Sequence, residues 1–178
     1  MPISAFVTRG IGPGSTIPLF VLGGLSLSAK HIREQIMKAV VRKVTGLSTT
    51  GSNVYRGRIF PQEAANLPAL LVYQGADVIE DDETARAIDT VDSTLTVHVE
   101  AWVQGAAGNN DQTLNAISAE VVAALQADIT QGVAGVFDTQ EGVVVEAEHL
   151  EGNQAVGALT MDFLFRYRRL RTDPSVAA

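Results

Sequence analysis

The sequence contains no cysteine in its 178 residues. That excludes a disulfide framework, a thiolate metal site and a cysteine nucleophile. Long apolar runs are also missing: the longest, "IPLFVLGGL" at residues 17–25, is less than half of the roughly 20 residues that a membrane helix needs. A third scarcity is positive charge in the middle of the chain. Residues 77–164 hold 1 Lys/Arg against 17 Asp/Glu, whereas residues 1–76 hold 8 against 2 and residues 165–178 hold 4 against 1. The net charge of −7 hides this segregation. It fits two differently solvated faces, and equally a self-association in which the acidic side of one subunit meets the basic side of another.

Catalytic and ligand motifs are scarce too. "GIGPGST" at residues 10–16 has the glycines of a phosphate loop but neither a preceding strand nor the lysine of a P-loop. "GLSTTG" has the wrong spacing for a nucleophile elbow. His31, His98 and His149 are scattered; His98 and Glu100 make half of a zinc deaminase pattern whose cysteine half cannot exist here, so they read as a solvated cross-strand pair. The run Glu80, Asp81, Asp82, Glu83 lacks the interleaved spacing of a calcium loop and reads as a solvated charge run. Basic residues at Arg166, Arg168, Arg169 and Arg171 could meet phosphate, yet the chain is acidic overall and carries no recognised reader motif. The expectation is a protein that is not an enzyme and has no catalytic, cofactor-binding or metal-binding residues.

What is present is a composition able to fold, 46% hydrophobic and 19% charged, and long enough for one domain with a core and an appendage. "SAKHIREQIMKAVVRKVTGL" places Ile32, Ile36, Val40, Val44 and Leu47 at intervals of three and four, with Met37 and Val41 widening the stripe. With Ser28 as N-cap and Gly46 just past the end, this predicts a helix over 29–45. "NVYRGRIFP" and "PALLVYQG" read as strands, fenced by Pro61 and Pro68. "GADVIEDDETARAIDTVDS" reads as an exposed acidic loop. "STLTVHVEAWVQ" alternates, with Leu95, Val97, Val99, Ala101 and Val103 on one face. A second helix capped by Asn110 or Asp111 carries the stripe Leu114, Ile117, Val121, Leu125 and Ile129. "GVVVEAEHLEG" and "GALTMDFLFRYRRL" follow as strands, the latter with Leu159, Met161, Phe163, Phe165 and Tyr167 on one face. The pattern predicts an α+β domain: a mainly antiparallel sheet of four to five strands with two helices packed on one face.

This order of elements, together with the helix running into "TG", the "VYRGRIFP" strand, "LPALLVY" and the closing aromatic strand ending in "RYR", resembles the tail-terminator proteins of tailed phages and prophages, also called tail-completion or U-like minor tail proteins. The resemblance spans residues 28–170. It implies a virion structural protein at the tail–neck junction, assembled in the host cytoplasm. Such a subunit closes into a hexameric ring on the tail tube, stops tube polymerisation and joins the head connector. The implied partners are further copies of itself, the tail tube protein and a connector or stopper protein, with passing contact with DNA in the lumen and no membrane. No catalytic residue is carried over. The nearest rivals are a head-completion stopper or other neck protein and, from a different class, a stand-alone binding module. In the ring reading, Glu80 to Glu83 or the acidic face of the second helix would lie near a neighbour's Arg56, Arg58, Arg166 and Arg168.

The front of the chain departs from that pattern. Residues 1–28 form an apolar, Gly/Pro-containing arm ahead of a domain at 29–171 and a short tail at 172–178. Arg9 ahead of an apolar stretch and the Ser26-Leu27-Ser28 triplet fit a secretion signal, but Gly10, Gly12, Pro13, Gly14 and Pro18 interrupt the segment that should be helical. The favoured expectation is an extended arm whose apolar side chains, Phe6, Ile17, Phe20 and Leu22 among them, dock on a neighbour; packing on its own domain is the alternative.

Overall fold

The structure, a computed structural model, describes residues 30–57, 66–80, 89–105, 109–151 and 154–178. The expected arm at 1–28 lies outside the described residues. In chain order the elements are α1 (Ile32–Val44), β1 (Val54–Arg56), β2 (Ala69–Glu80), β3 (Thr90–Gly105), α2 (Asn110–Gln126), β4 (Val136–Glu151) and β5 (Gln154–Leu170). The strands form one sheet in the order β1-β2-β3-β5-β4. The α+β expectation holds, with one refinement: β1 runs parallel to β2, while the other three neighbouring pairs are antiparallel. The physical reason is the connection. Residues 57–68 are long enough to carry the chain back to the end of the sheet from which β1 started, which a tight hairpin cannot do.

Both helices cover the same sheet face. Along β3 the residues Leu95, Val97, Val99 and Ala101 are fully buried and Val103 nearly so, as the alternation predicts. On β5, Leu159, Met161, Phe163, Phe165 and Tyr167 continue the layer. α1 lays Ile32, Ile36, Met37, Val40 and Val44 on it, over β1 and β2, and α2 adds Leu114, Ile117, Val121 and Leu125 over β3 and β5. Each of these large side chains contributes roughly 1.5–3 kcal/mol by leaving water. Gly157 permits the close approach of α2 to β5, because a Cβ there would sit 3.0 Å from the Leu114 methyl group.

The helix ends differ from expectation. α1 begins at Ile32, with His31 as N-cap: its ring Nδ1 accepts from the Arg33 N–H at 3.1 Å. The Ile32 N–H is taken by the Pro174 carbonyl at 3.0 Å, so the C-terminal tail, folded back along β5, fixes where α1 starts. Gly46, at φ +88°, follows the helix as expected. The N-cap position of α2 is Asn109, not Asn110 or Asp111, and its side chain makes no capping bond; Ile129 falls beyond the helix end, 46% exposed.

The larger difference concerns the acidic stretch. β2 continues to Glu80 through a bulge between Gln74 and Asp77, and β3 starts at Thr90, so Asp77–Glu80 and Thr90–Ser93 are strand, not loop. β4 likewise starts at Val136, six residues ahead of the "GVVV" expected to open it.

Candidate assembly surface

On the face of the sheet opposite the helices β3 presents Thr94, Thr96, His98, Glu100 and Trp102, all half-buried, while Ala69 and Leu71 of β2 on the same face are fully buried. Register determines what meets on it. Asp92 stands opposite Arg168, Thr94 opposite Arg166, and His98 opposite Asp162. The first and third rows close by a contact between β3 and β5, and the second closes through Glu80 of β2.

In the first row the Arg168 guanidinium donates two bonds to the Asp92 carboxylate, at 2.6 and 2.8 Å. This fork holds the Asp92 carboxyl below the usual carboxylate range. In the second, the Glu80 carboxylate accepts from the Thr94 hydroxyl at 2.9 Å and pairs with Arg166 at 3.5 Å, while the Arg166 guanidinium also lies 5.3 Å from the Phe137 ring centroid. In the third, His98 Nδ1 lies 2.6 Å from Asp162 Oδ1, and the His98 ring stacks obliquely on Tyr73 with centroids 5.0 Å apart. Burial, followed by the charge of Glu100, pushes the Tyr73 hydroxyl above its ordinary value. Gly75 makes this row possible, since any Cβ there would collide with the His98 imidazole.

The helical side has its own pairs. Arg56 donates to both oxygens of Glu34, at 2.9 and 2.6 Å, which lowers the Glu34 carboxyl and raises the guanidinium. Arg33 lies 3.4 Å from Asp77, and Lys43 lies 3.7 Å from Asp128.

Of the residues named from sequence, Glu80 and Arg166 are brought together, Arg168 meets Asp92, and Arg56 meets Glu34. Phe6, Ile17, Phe20, Leu22, Arg58, Asp81, Asp82 and Glu83 lie outside the described residues. His98 turns to Asp162 across the sheet, whereas its strand neighbour Glu100 faces Tyr73. Sequence reasoning did not single out Asp92, Asp162 or Glu34, because their partners are set by register and by helix placement.

Both sheet edges carry exposed apolar residues. β1 covers β2 only at Leu70–Val72, and beyond it Val78 and Ile79 are more than half exposed. β4 is the opposite edge strand, and Val143, Val144 and Val145 are 65, 43 and 58% exposed. Exposed edges of this kind invite strand or side-chain docking unless something covers them.

Among the described residues no group of three or more His, Asp and Glu side chains could hold a metal ion, and no helix is long and apolar enough to cross a membrane. No family model and no curated protein matches the chain. Among solved structures it is similar to a chain in the virion of a native gene transfer agent particle, with a TM-score of 0.44 and 14% identity, over 78% of this chain and 92% of that one. A likeness of that size carries no argument about function.

Proposed function

We propose that the chain is a virion structural subunit that closes into a ring at the end of a phage tail tube, stops its growth and presents the joining surface to the head connector. The observation that carries this reading is the pair of unlike, apolar-bearing edges on opposite sides of one sheet, β2 with Val78 and Ile79 and β4 with Val143 to Val145. A head-to-tail ring joins two different patches of the same subunit, so each subunit needs one patch on either side. The resemblance of residues 28–170 to tail-terminator proteins supports the same reading.

In this role the protein is not an enzyme and uses no cofactor. Its partners are itself, the tail tube protein and a connector or stopper protein. The polar sheet face, with His98, Asp162, Arg166 and Arg168, is a surface suited to a wet lumen or to a polar partner. The experiment is to remove the gene and measure tails, alongside the native mass of the purified protein. Overlong tails and a hexamer are expected. Tails of normal length that fail to join heads would move the protein to a stopper role, and a persistent monomer with turnover of a small substrate would refute the reading.

A further inference from the structure

After the intrachain pairs are formed, the charge left over is sharply placed. α1 and its first flanking residue carry Lys30, Arg33, Lys38, Arg42 and Lys43 against Glu34. Arg33 is taken by Asp77 and Lys43 by Asp128, while Glu34 is taken by Arg56. Lys30, Lys38 and Arg42 are exposed and make no ion pair among the described residues. A hydrogen-bonding approach of the Lys30 ammonium, followed by its like charge, holds the Lys38 ammonium below its ordinary value. Lys38 and Arg42, one turn apart, rim a cleft of about 430 Å³ whose other wall is Gly132, Val133 and Ala134, with Ala39 between.

β4 is the converse surface. Asp138 and Glu141 lie along its described part, with no Lys or Arg. Glu141 is exposed and in no ion pair among the described residues, and it directly precedes Gly142 and the three exposed valines. The strand bonds to β5 on one side only. The cleft and the valines cannot meet within one molecule: Val143 stands seven residues beyond Val136, the first residue of β4, a distance of about 23 Å along the strand, and Val133 lies in the turn before it.

We propose that the β4 edge of one copy, Glu141 and Val143 to Val145, docks on the α1 cleft of a second copy, where Lys38 and Arg42 receive the Glu141 carboxylate. The occupant is another copy of this chain because its own acidic, apolar edge complements the cleft in both respects. The contact is heterologous, and each subunit uses both halves once. It rests on the ring reading above and pairs the β4 edge with the α1 cleft, leaving the β2 edge with Val78 and Ile79 outside this contact.

Two charge-reversed full-length variants test it: Lys38→Glu/Arg42→Glu on the cleft and Glu141→Lys/Val145→Lys on the edge. Self-association is followed by sedimentation velocity, with far-UV circular dichroism as the control for folding. Each variant alone should associate at least about tenfold more weakly than the parent chain. Mixed one to one, the two should recover association, because an acidic cleft then meets a basic edge and the unaltered halves still match. Should either reversal disturb folding, Arg42→Ala and Val145→Thr replace it, each expected to weaken association in the same direction. Parent-like association of both reversed variants would overturn the proposed surface while leaving the ring reading intact; a parent chain that stays monomeric at every concentration would overturn both. Loss of binding to a single-stranded DNA probe by the cleft variant, with self-association unchanged, would assign the cleft to a polyanion and overturn the proposal.

Discussion

Replacing Tyr167 by Phe removes one oxygen from the interior and tests how α1, β2 and β5 are tied together. The Tyr167 side chain is fully buried, and its hydroxyl donates to the Asp77 carboxylate, 3.0 and 3.2 Å from the two oxygens. Asp77 in turn lies 3.4 Å from Arg33 of α1. A hydrogen bond to a charged acceptor is worth about 1.5–3 kcal/mol. Asp77 keeps Arg33 and slight access to water in the variant, so a loss of about 1.5 kcal/mol is expected at neutral pH. The pH dependence sharpens the test. Burial, followed by the Asp77 charge, pushes the Tyr167 hydroxyl from 10.0 up to about 12. Because the folded value is raised, the neutral phenol's contribution is complete below pH 10 and is lost as pH rises through about 12. That displacement bounds the pH-linked contribution at roughly 3 kcal/mol. Urea unfolding of both proteins from pH 8 to 12 supplies the measurement, and the difference between them removes the lysines and other tyrosines that titrate in the same window. The stability gap should be constant to about pH 10 and then shrink. A gap near zero at pH 8, or one that persists unchanged at pH 12, would show that the hydroxyl does not hold Asp77 in the fold.

Four further substitutions probe other parts of the structure. Gly135→Ala places a Cβ 2.5 Å from the Arg168 carbonyl oxygen at φ +86°, so both strain and a backbone collision follow; equilibrium unfolding should show a loss of about 2 kcal/mol or more. The same change at Gly46, with φ +88° and open space around it, should cost only about 1 kcal/mol. Gln131→Ala removes a fully buried amide that donates to the Leu125 and Asp128 carbonyls, each at 2.7 Å, and should cost about 2 kcal/mol with faster amide exchange in the last turn of α2. Gly75→Ala should displace the His98 ring and shift its NMR resonances together with those of Tyr73 and Asp162; unchanged His98 shifts would contradict the packing described.

The elements easiest to read were those whose environment is one-sided. α1, β3 and β5 each have a covered face and a wetter one, so the period of burial appears directly in the residue pattern, from Leu95 to Val103 and from Leu159 to Tyr167. Three features were hidden for identifiable reasons. The acidic ends of β2 and β3 look like loop because Glu80 and Asp92 are charged, and the cations that make a strand tolerable there, Arg166 and Arg168, arrive 86 and 76 residues later in the chain. The start of β4 breaks the period of two at bulges between Val136 and Asp138 and between Glu141 and Val144. The parallel pairing of β1 depends on the path of a connection, which residue patterns do not record. Of the candidate surface, Glu80, Arg56, Arg166 and Arg168 were legible as charged residues; their partners were not, since register and strand order are properties of the folded sheet.

The segregation of charge along the chain thus has two physical resolutions. One part is neutralised inside the subunit: β5 is inserted between β3 and β4, so its arginines reach back to carboxylates of β2 and β3, and Arg171 lies 4.0 Å from Asp89 at the end of the same series. These pairs are partly exposed and individually worth little, about 0–1 kcal/mol each. They explain why the acidic middle of the chain can form adjacent strands, yet they leave it no independent source of stability. The other part is not neutralised among the described residues. Lys38 and Arg42 remain exposed on α1, and Glu141 with its flanking valines remains exposed on the edge strand β4. Solvation alone would account for the charges, but it gives no reason for three exposed valines to lie beside the carboxylate on a strand with an open side. The proposed docking of a second copy would cover the valines and match the charges in one contact, and salt should weaken that contact because its cations and Glu141 are exposed before docking.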